Sequence, residues 1–159
     1  MDETSTTTLL DPRLVATGVE RLTWPKARWD HRAHLAAGAW WVHRLGPGAL
    51  GHARRSIRRY NEATGGENTA DAGYHETITA YYLAALAAVI GETEPTADRL
   101  GDLGDHELLG PRAPLRFWSA ELLMSRAARA SWIDPDVEPL PAELRRSVAP
   151  TGGGADVVA

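Results

Sequence analysis

Residues 30–48 read DHRAHLAAGAWWVHRLGPG, and the reading of this stretch decides the fold. Asp30 is a good N-cap, because its carboxylate can accept from a free backbone N–H in the first turn. His31, His34, Leu35, Gly38, Trp41, Val42 and Leu45 then recur at the i, i+3, i+4, i+7 spacing of one helical face. Gly46-Pro47-Gly48 closes the segment. A start near Trp24, with Pro25 in the first turn, fits the pattern as well.

Working outward, Asp11-Pro12 opens an earlier helix that runs to about Leu22, with Leu14, Val15, Val19 and Leu22 on one stripe. After the glycine break, ALGHARRSIRRYNEA predicts a third helix over about 48–63, ended by Gly65-Gly66. A polar loop follows, and a strongly apolar fourth helix runs from about Tyr74 to Ile90. The pattern then weakens. A short helix is expected behind Pro95, and one more turn at Asp105. Two short helices are expected in APLRFWSAELL and SRAARASW, the second capped by Ser125. DPDVEPLP should be extended. No strand alternation is present. The expectation is an all-α, irregular helical bundle of four main helices plus short C-terminal helices. The single domain should span 11–146, between a disordered leader (1–10) and a flexible tail (147–159).

Composition narrows the chemistry. None of the 159 residues is cysteine, so disulfides, thiolate metal sites and a cysteine nucleophile are excluded. The net charge of −4 gives no general attraction for nucleic acid or anionic membrane. No stretch approaches the length of a membrane span, and no targeting pattern is visible, which makes a cytoplasmic protein the expectation. Six Trp and four Tyr stand against a single Phe. Indole and phenol rings carry a polar handle into an apolar interior. Trp118, Met124 and Trp132 are expected to cap the C-terminal end of the core. Phosphate loops, dinucleotide fingerprints and nucleophile elbows are all missing from the chain.

The informative residues are polar groups on apolar stripes. His31 and His34 lie on the inward face of the second helix. His75 joins Ile78, Thr79, Tyr82, Leu86 and Val89 on the fourth, with Glu76 one step round. Isolated burial of such groups costs several kcal/mol, so they are expected to meet. Imidazoles plus a carboxylate are a donor set for a divalent metal such as Zn, Fe, Mn or Cu. The expectation is therefore a metal centre of His31, His34 and His75. Glu76 would be a fourth ligand or a general base, and Tyr82 would orient a small-molecule substrate. The competing reading is a metal-free polar network of the same residues that fixes helix register. Asn61 lies near the core side of the third helix and could bond a substrate, although asparagine is also a common helix-end residue. Arg58 could receive an acidic group, although Arg54, Arg55, Arg58 and Arg59 also read as a solvated basic face.

The runs WDHRAHL, IRRYNEATG, NTADAGYHETIT and ARASWIDPDVEPLP resemble a group of small bacterial proteins, over roughly residues 24–141. The resemblance implies an all-α domain and brings no established activity or catalytic residue with it. A looser likeness is to metal-binding four-helix proteins of the DinB type, which pair one His with a later His-x-x-x-His. This chain has His-x-x-His early and no later pair.

The functional expectation is a metal-dependent enzyme, hydrolytic or oxidative, acting on a small molecule. The alternative is a non-catalytic helical module that binds a small ligand or partner and keeps its histidines for structure. A third option is a partner-dependent subunit whose Trp-rich surface is covered in a complex, and a homodimer is among the expected partners.

Overall fold

The computed structural model describes residues 10–148, which are helical and contain no strand. The expected leader, but for Leu10, and the expected tail beyond Val148 lie outside the described residues. Helix α1 spans Pro12–Glu20, α2 His31–Leu45, α3 Ala49–Ala63 and α4 Glu76–Ile90. Shorter helices follow: α5 Ala97–Leu103, α6 Ala120–Leu123, α7 Arg126–Ala130 and α8 Ala142–Val148. No described helix is long and apolar enough to cross a membrane.

Local chemistry sets the helix starts. The Asp11 carboxylate accepts from the backbone N–H of Arg13 and Leu14, and that of Asp30 from Ala33. Ser119 and Ser125 cap α6 and α7 in the same manner. The earlier start proposed near Trp24 is not taken. Lys26–Arg28 form a separate 3-10 turn, and Asp30 is extended. Helix α8 was not anticipated. Its signal was present: Pro141 precedes AELRR, a run of good helix formers.

Helix α2 is buried on two sides. Ala33, Ala36, Ala37 and Trp41 face a cluster built with Val15, Val19, Ile57 and Tyr60 of α1 and α3. Leu35 and Ala39 face a second cluster built around α4 and the C-terminal segments. The small residues permit close approach. A Cβ added at Gly38 would stand 2.9 Å from Leu86 Cδ1. The second cluster gathers Tyr81, Leu86, Leu109, Phe117, Trp118 and Leu144. Each such large side chain contributes about 1.5–3 kcal/mol on burial.

Side-chain donors on α4 and near it tie this second cluster to irregular backbone. Tyr81 Oη donates to Leu108 O at 2.8 Å, and Tyr82 Oη to Gly110 O at 2.6 Å. Thr77 Oγ1 donates to Ala128 O at 2.7 Å, and Trp118 Nε1 to Ile133 O at 2.9 Å. Trp118 is fully buried and Trp132 packs against it edge-on. Met124, expected to join them as a core cap, instead lies 59% exposed. The single turn α6 ends at Leu123, whose side chain takes the inward position.

Candidate functional site

His31 and His34 open α2, and the Asp30 cap fixes the register that aims them. His31 Nε2 lies 2.7 Å from Leu109 O. A carbonyl only accepts, so this nitrogen carries the proton. The Tyr82 ring meets His31 edge-on at 5.1 Å. Burial pushes the Tyr82 phenol well above its ordinary range, so it stays neutral. His34 Nδ1 lies 2.7 Å from Asp30 O and donates to it by the same argument. Its Nε2 has no hydrogen-bond partner among the described residues. Trp29 stacks on the His34 ring at 3.7 Å, with the planes inclined by 28°. The residue is exposed overall, with the ring face that meets Trp29 shielded from water. That desolvation lowers its pKa below 6.5; the bond to Asp30 opposes the shift, and nearby His31 adds to it.

These rings border a cleft of about 280 Å³ between α2, α3 and α4. Its walls are mainly apolar: Leu35, Trp41, Ile57, Ile78, Leu83 and Leu86. The polar groups at its edge are the two imidazoles, Thr79, Tyr82 and Asp30. Thr79 Oγ1 donates to His75 O at 2.7 Å.

His75 does not join them. Helix α4 starts at Glu76 rather than Tyr74, and His75 is its extended N-cap. Its Nδ1 accepts from the Ile78 N–H at 3.2 Å, and its Nε2 donates to Leu123 O at 2.7 Å. Both ring nitrogens are thus occupied inside the protein. Desolvation lowers its pKa, and the charge of Arg129 adds to this; the Leu123 bond works the other way. The ring is a neutral structural cap.

Glu76 also lies outside the imidazole cleft. Arg54 grips it with two parallel hydrogen bonds, and Tyr74 Oη donates to it at 2.6 Å. Burial alone would raise its pKa. The bonds from Arg54 and Tyr74, with the charges of Arg54 and Arg58, outweigh this and hold it below the ordinary carboxylate value. An ionised carboxylate clamped in this way is neither a free ligand nor a poised base.

The four residues expected to share a metal are therefore divided. His31 and His34 border one cleft, His75 caps a helix, and Glu76 pairs with arginine. Among the described residues no group of three or more His, Asp or Glu is placed to hold a metal ion. Two imidazoles with one nitrogen each committed to a carbonyl fall short of the three or four protein ligands of zinc sites. Of the residues expected to bind substrate, Asn61 donates to Asn68 Oδ1 at 3.1 Å. The same oxygen receives the Tyr74 N–H. Asn61 thus braces the loop between α3 and α4. Arg58 lines a separate pocket with Arg54, Tyr74 and Glu76.

Sequence reasoning missed Trp29 as a wall of the cleft. Its signal was an indole next to the Asp30 cap, in position to pack on the first turn. It also missed Arg126 and Arg129, whose placement depends on how α7 docks. Comparison with family models, curated proteins and solved structures gives no match to this chain.

Proposed function

We propose that the protein is a small-ligand-binding module, an irregular four-helix bundle with its binding site in the cleft beside His31 and His34. The observation that carries this reading is the free Nε2 of His34, held by its Asp30 bond and Trp29 stack at the edge of an apolar cleft. The space equals about nine waters at about 30 Å³ each. A single aromatic ring or a short branched chain fits it. His34 is neutral at pH 7, since its pKa is lowered. It therefore offers an acceptor rather than a positive charge. That favours a ligand with an O–H or N–H donor, such as a phenol or an amide, over a carboxylate. Tyr82 and Thr79 of α4 add hydroxyl groups to the lining.

The metal-dependent reading loses its support with the separation of His75 and Glu76 from the imidazole pair. Catalysis by His34 as a lone general base would need a substrate whose proton meets Nε2, and binding is the prerequisite of either role.

The test is an NMR titration with monocyclic phenols and amides, beside carboxylates of the same shape. We expect saturable shifts at the Trp29 indole N–H and the His34 ring, abolished in His34→Ala and retained in His43→Ala. Lack of saturable binding by any of these, or equal binding of the carboxylates, overturns the proposal. Sedimentation of the same samples reads the oligomeric state.

A further inference from the structure

A second pocket, of about 520 Å³, lies where the loop between α3 and α4 meets α7. Four guanidinium groups line it: Arg54 and Arg58 from α3, Arg126 and Arg129 from α7. Two are neutralised within the protein. Arg54 pairs with Glu76, and Arg126 pairs with Asp71 through bonds of 2.9 and 3.0 Å. The other two have no carboxylate partner among the described ion pairs. Arg58 makes no side-chain hydrogen bond there. Arg129 is held by backbone instead, with one Nη donating to Gly73 O at 2.7 Å. The same Nη also reaches Tyr74 O at 3.4 Å. These bonds fix the side chain without cancelling its charge, and Nε and the other Nη have no partner among the described residues.

A chain of net charge −4 thus places in one concave site two guanidinium groups that have no ion-pair partner among the described residues, Arg58 sharing with Arg54 the field of the single Glu76 carboxylate. We propose that this pocket binds the phosphate group of a small phosphorylated molecule, with Arg58 and Arg129 as its direct ligands. Arginine forks match oxyanions bidentately. A phosphate monoester carries about −1.5 to −2 charge at pH 7 and several acceptor oxygens. It can therefore meet two forks at once and balance both charges. A monocarboxylate has one charge and two oxygens, and satisfies only one fork. The Arg54–Glu76 and Arg126–Asp71 pairs act as fixed walls that hold the floor and rim in place. Polymeric nucleic acid fits poorly, because the cationic surface is a pocket rather than a stripe and the molecule is negative overall.

The experiment is calorimetry and arginine Nε–Hε NMR on the full chain, at fixed ionic strength, with phenyl phosphate, inorganic phosphate, benzoate and a single-stranded oligonucleotide as probes. We expect saturable binding of phenyl phosphate, with shifts at Arg58 and Arg129. Arg58→Gln should weaken it about tenfold, as loss of a charge-assisted bond implies. Arg55→Gln removes the same charge from the exposed side of α3, outside the pocket, and should leave binding unchanged. Arg58 makes no side-chain hydrogen bond, so R58Q tests the site without threatening the fold; R129Q is interpreted only where its thermal midpoint is unchanged. Equal losses in R55Q and R58Q, tighter binding of benzoate or the oligonucleotide than of phenyl phosphate, or no saturable binding of either phosphate overturns the proposal.

Discussion

At the scale of the residue, the three histidines on the apolar stripes have two different jobs. His31 and His34 each give one N–H to a carbonyl, and the second ring nitrogen of each has no hydrogen-bond partner among the described residues. His75 uses both nitrogens. His75→Ala removes the N-cap of α4 and leaves the Leu123 carbonyl unpartnered, so urea denaturation should show a loss of about 1–3 kcal/mol. His75→Asn restores a capping acceptor but is too short to replace the imidazole at Leu123, and should recover part of that loss. The pH response has a definite sign. The folded-state pKa of His75 lies below 6.5, so the unfolded chain takes up the proton first. The contribution of the neutral ring is whole above about pH 6.5 and is lost as pH falls through the folded value. Urea midpoints measured from pH 7.5 down to 5 should therefore fall more steeply for the native chain than for His75→Asn. Helical period alone put His31 and His34 on one face, since 3.6 residues per turn is a local property, but it overstated their burial: His31 is half-buried and His34 exposed. It placed His75 inside, where it is buried, but not away from the other two, because a residue that begins a helix leaves the helical path and turns its side chain back over the first turn.

At the scale of the element, α4 and the loop before it organise the site. That loop closes on itself through Asn68, which receives the N–H groups of Asn61 and Tyr74. Gly73 makes the closure: it has φ +85°, and an added Cβ would fall 2.2 Å from Glu67 O. Neither the backbone angle nor the space accepts a side chain. Gly73→Ala should cost at least about 2 kcal/mol in thermal or urea unfolding, from strain and backbone displacement together. It should also weaken phenyl phosphate binding, since Gly73 O anchors Arg129. Helices α1 to α4 were legible because each carries an apolar period and a stop signal, and α1 and α2 a capping aspartate as well. The register between α3 and α4, which pairs Arg54 with Glu76, was not. It depends on the depth at which two helices pack, and neither sequence records that depth. Arg54 read as part of a solvated basic face, and Glu76 as a ligand or base beside the imidazoles rather than as the partner of an arginine.

At the scale of the whole molecule, two apolar clusters share α2, one built with α1 and α3 and the other with α4 and the C-terminal third. The first was readable from four periodic segments. The second was only partly so, because residues 104–141 hold few regular turns and their path is set by docking on α4. A divalent ion stabilises a fold only where it binds the native state more tightly than the unfolded one. With the three expected ligands divided between a cleft and a helix cap, added zinc, iron, manganese or copper should leave the thermal midpoint unchanged in calorimetry; a rise that His31→Ala removes would restore a metal site. The bonds that tie the C-terminal third to α4 have one further consequence. Their donors are specific side chains at positions 75, 77, 81 and 82, and no other amino acid reproduces each reach and geometry. Their acceptors are main-chain oxygens at positions 108, 110, 123 and 128, which every amino acid supplies alike. Substitution is therefore restricted on one side of these contacts and, so far as the contact is concerned, free on the other. Variants selected for folding should keep their identities at the four donor positions, while at the acceptor positions only the packing of Leu108, Leu123 and Ala128, and not the hydrogen bond, restricts the side chain.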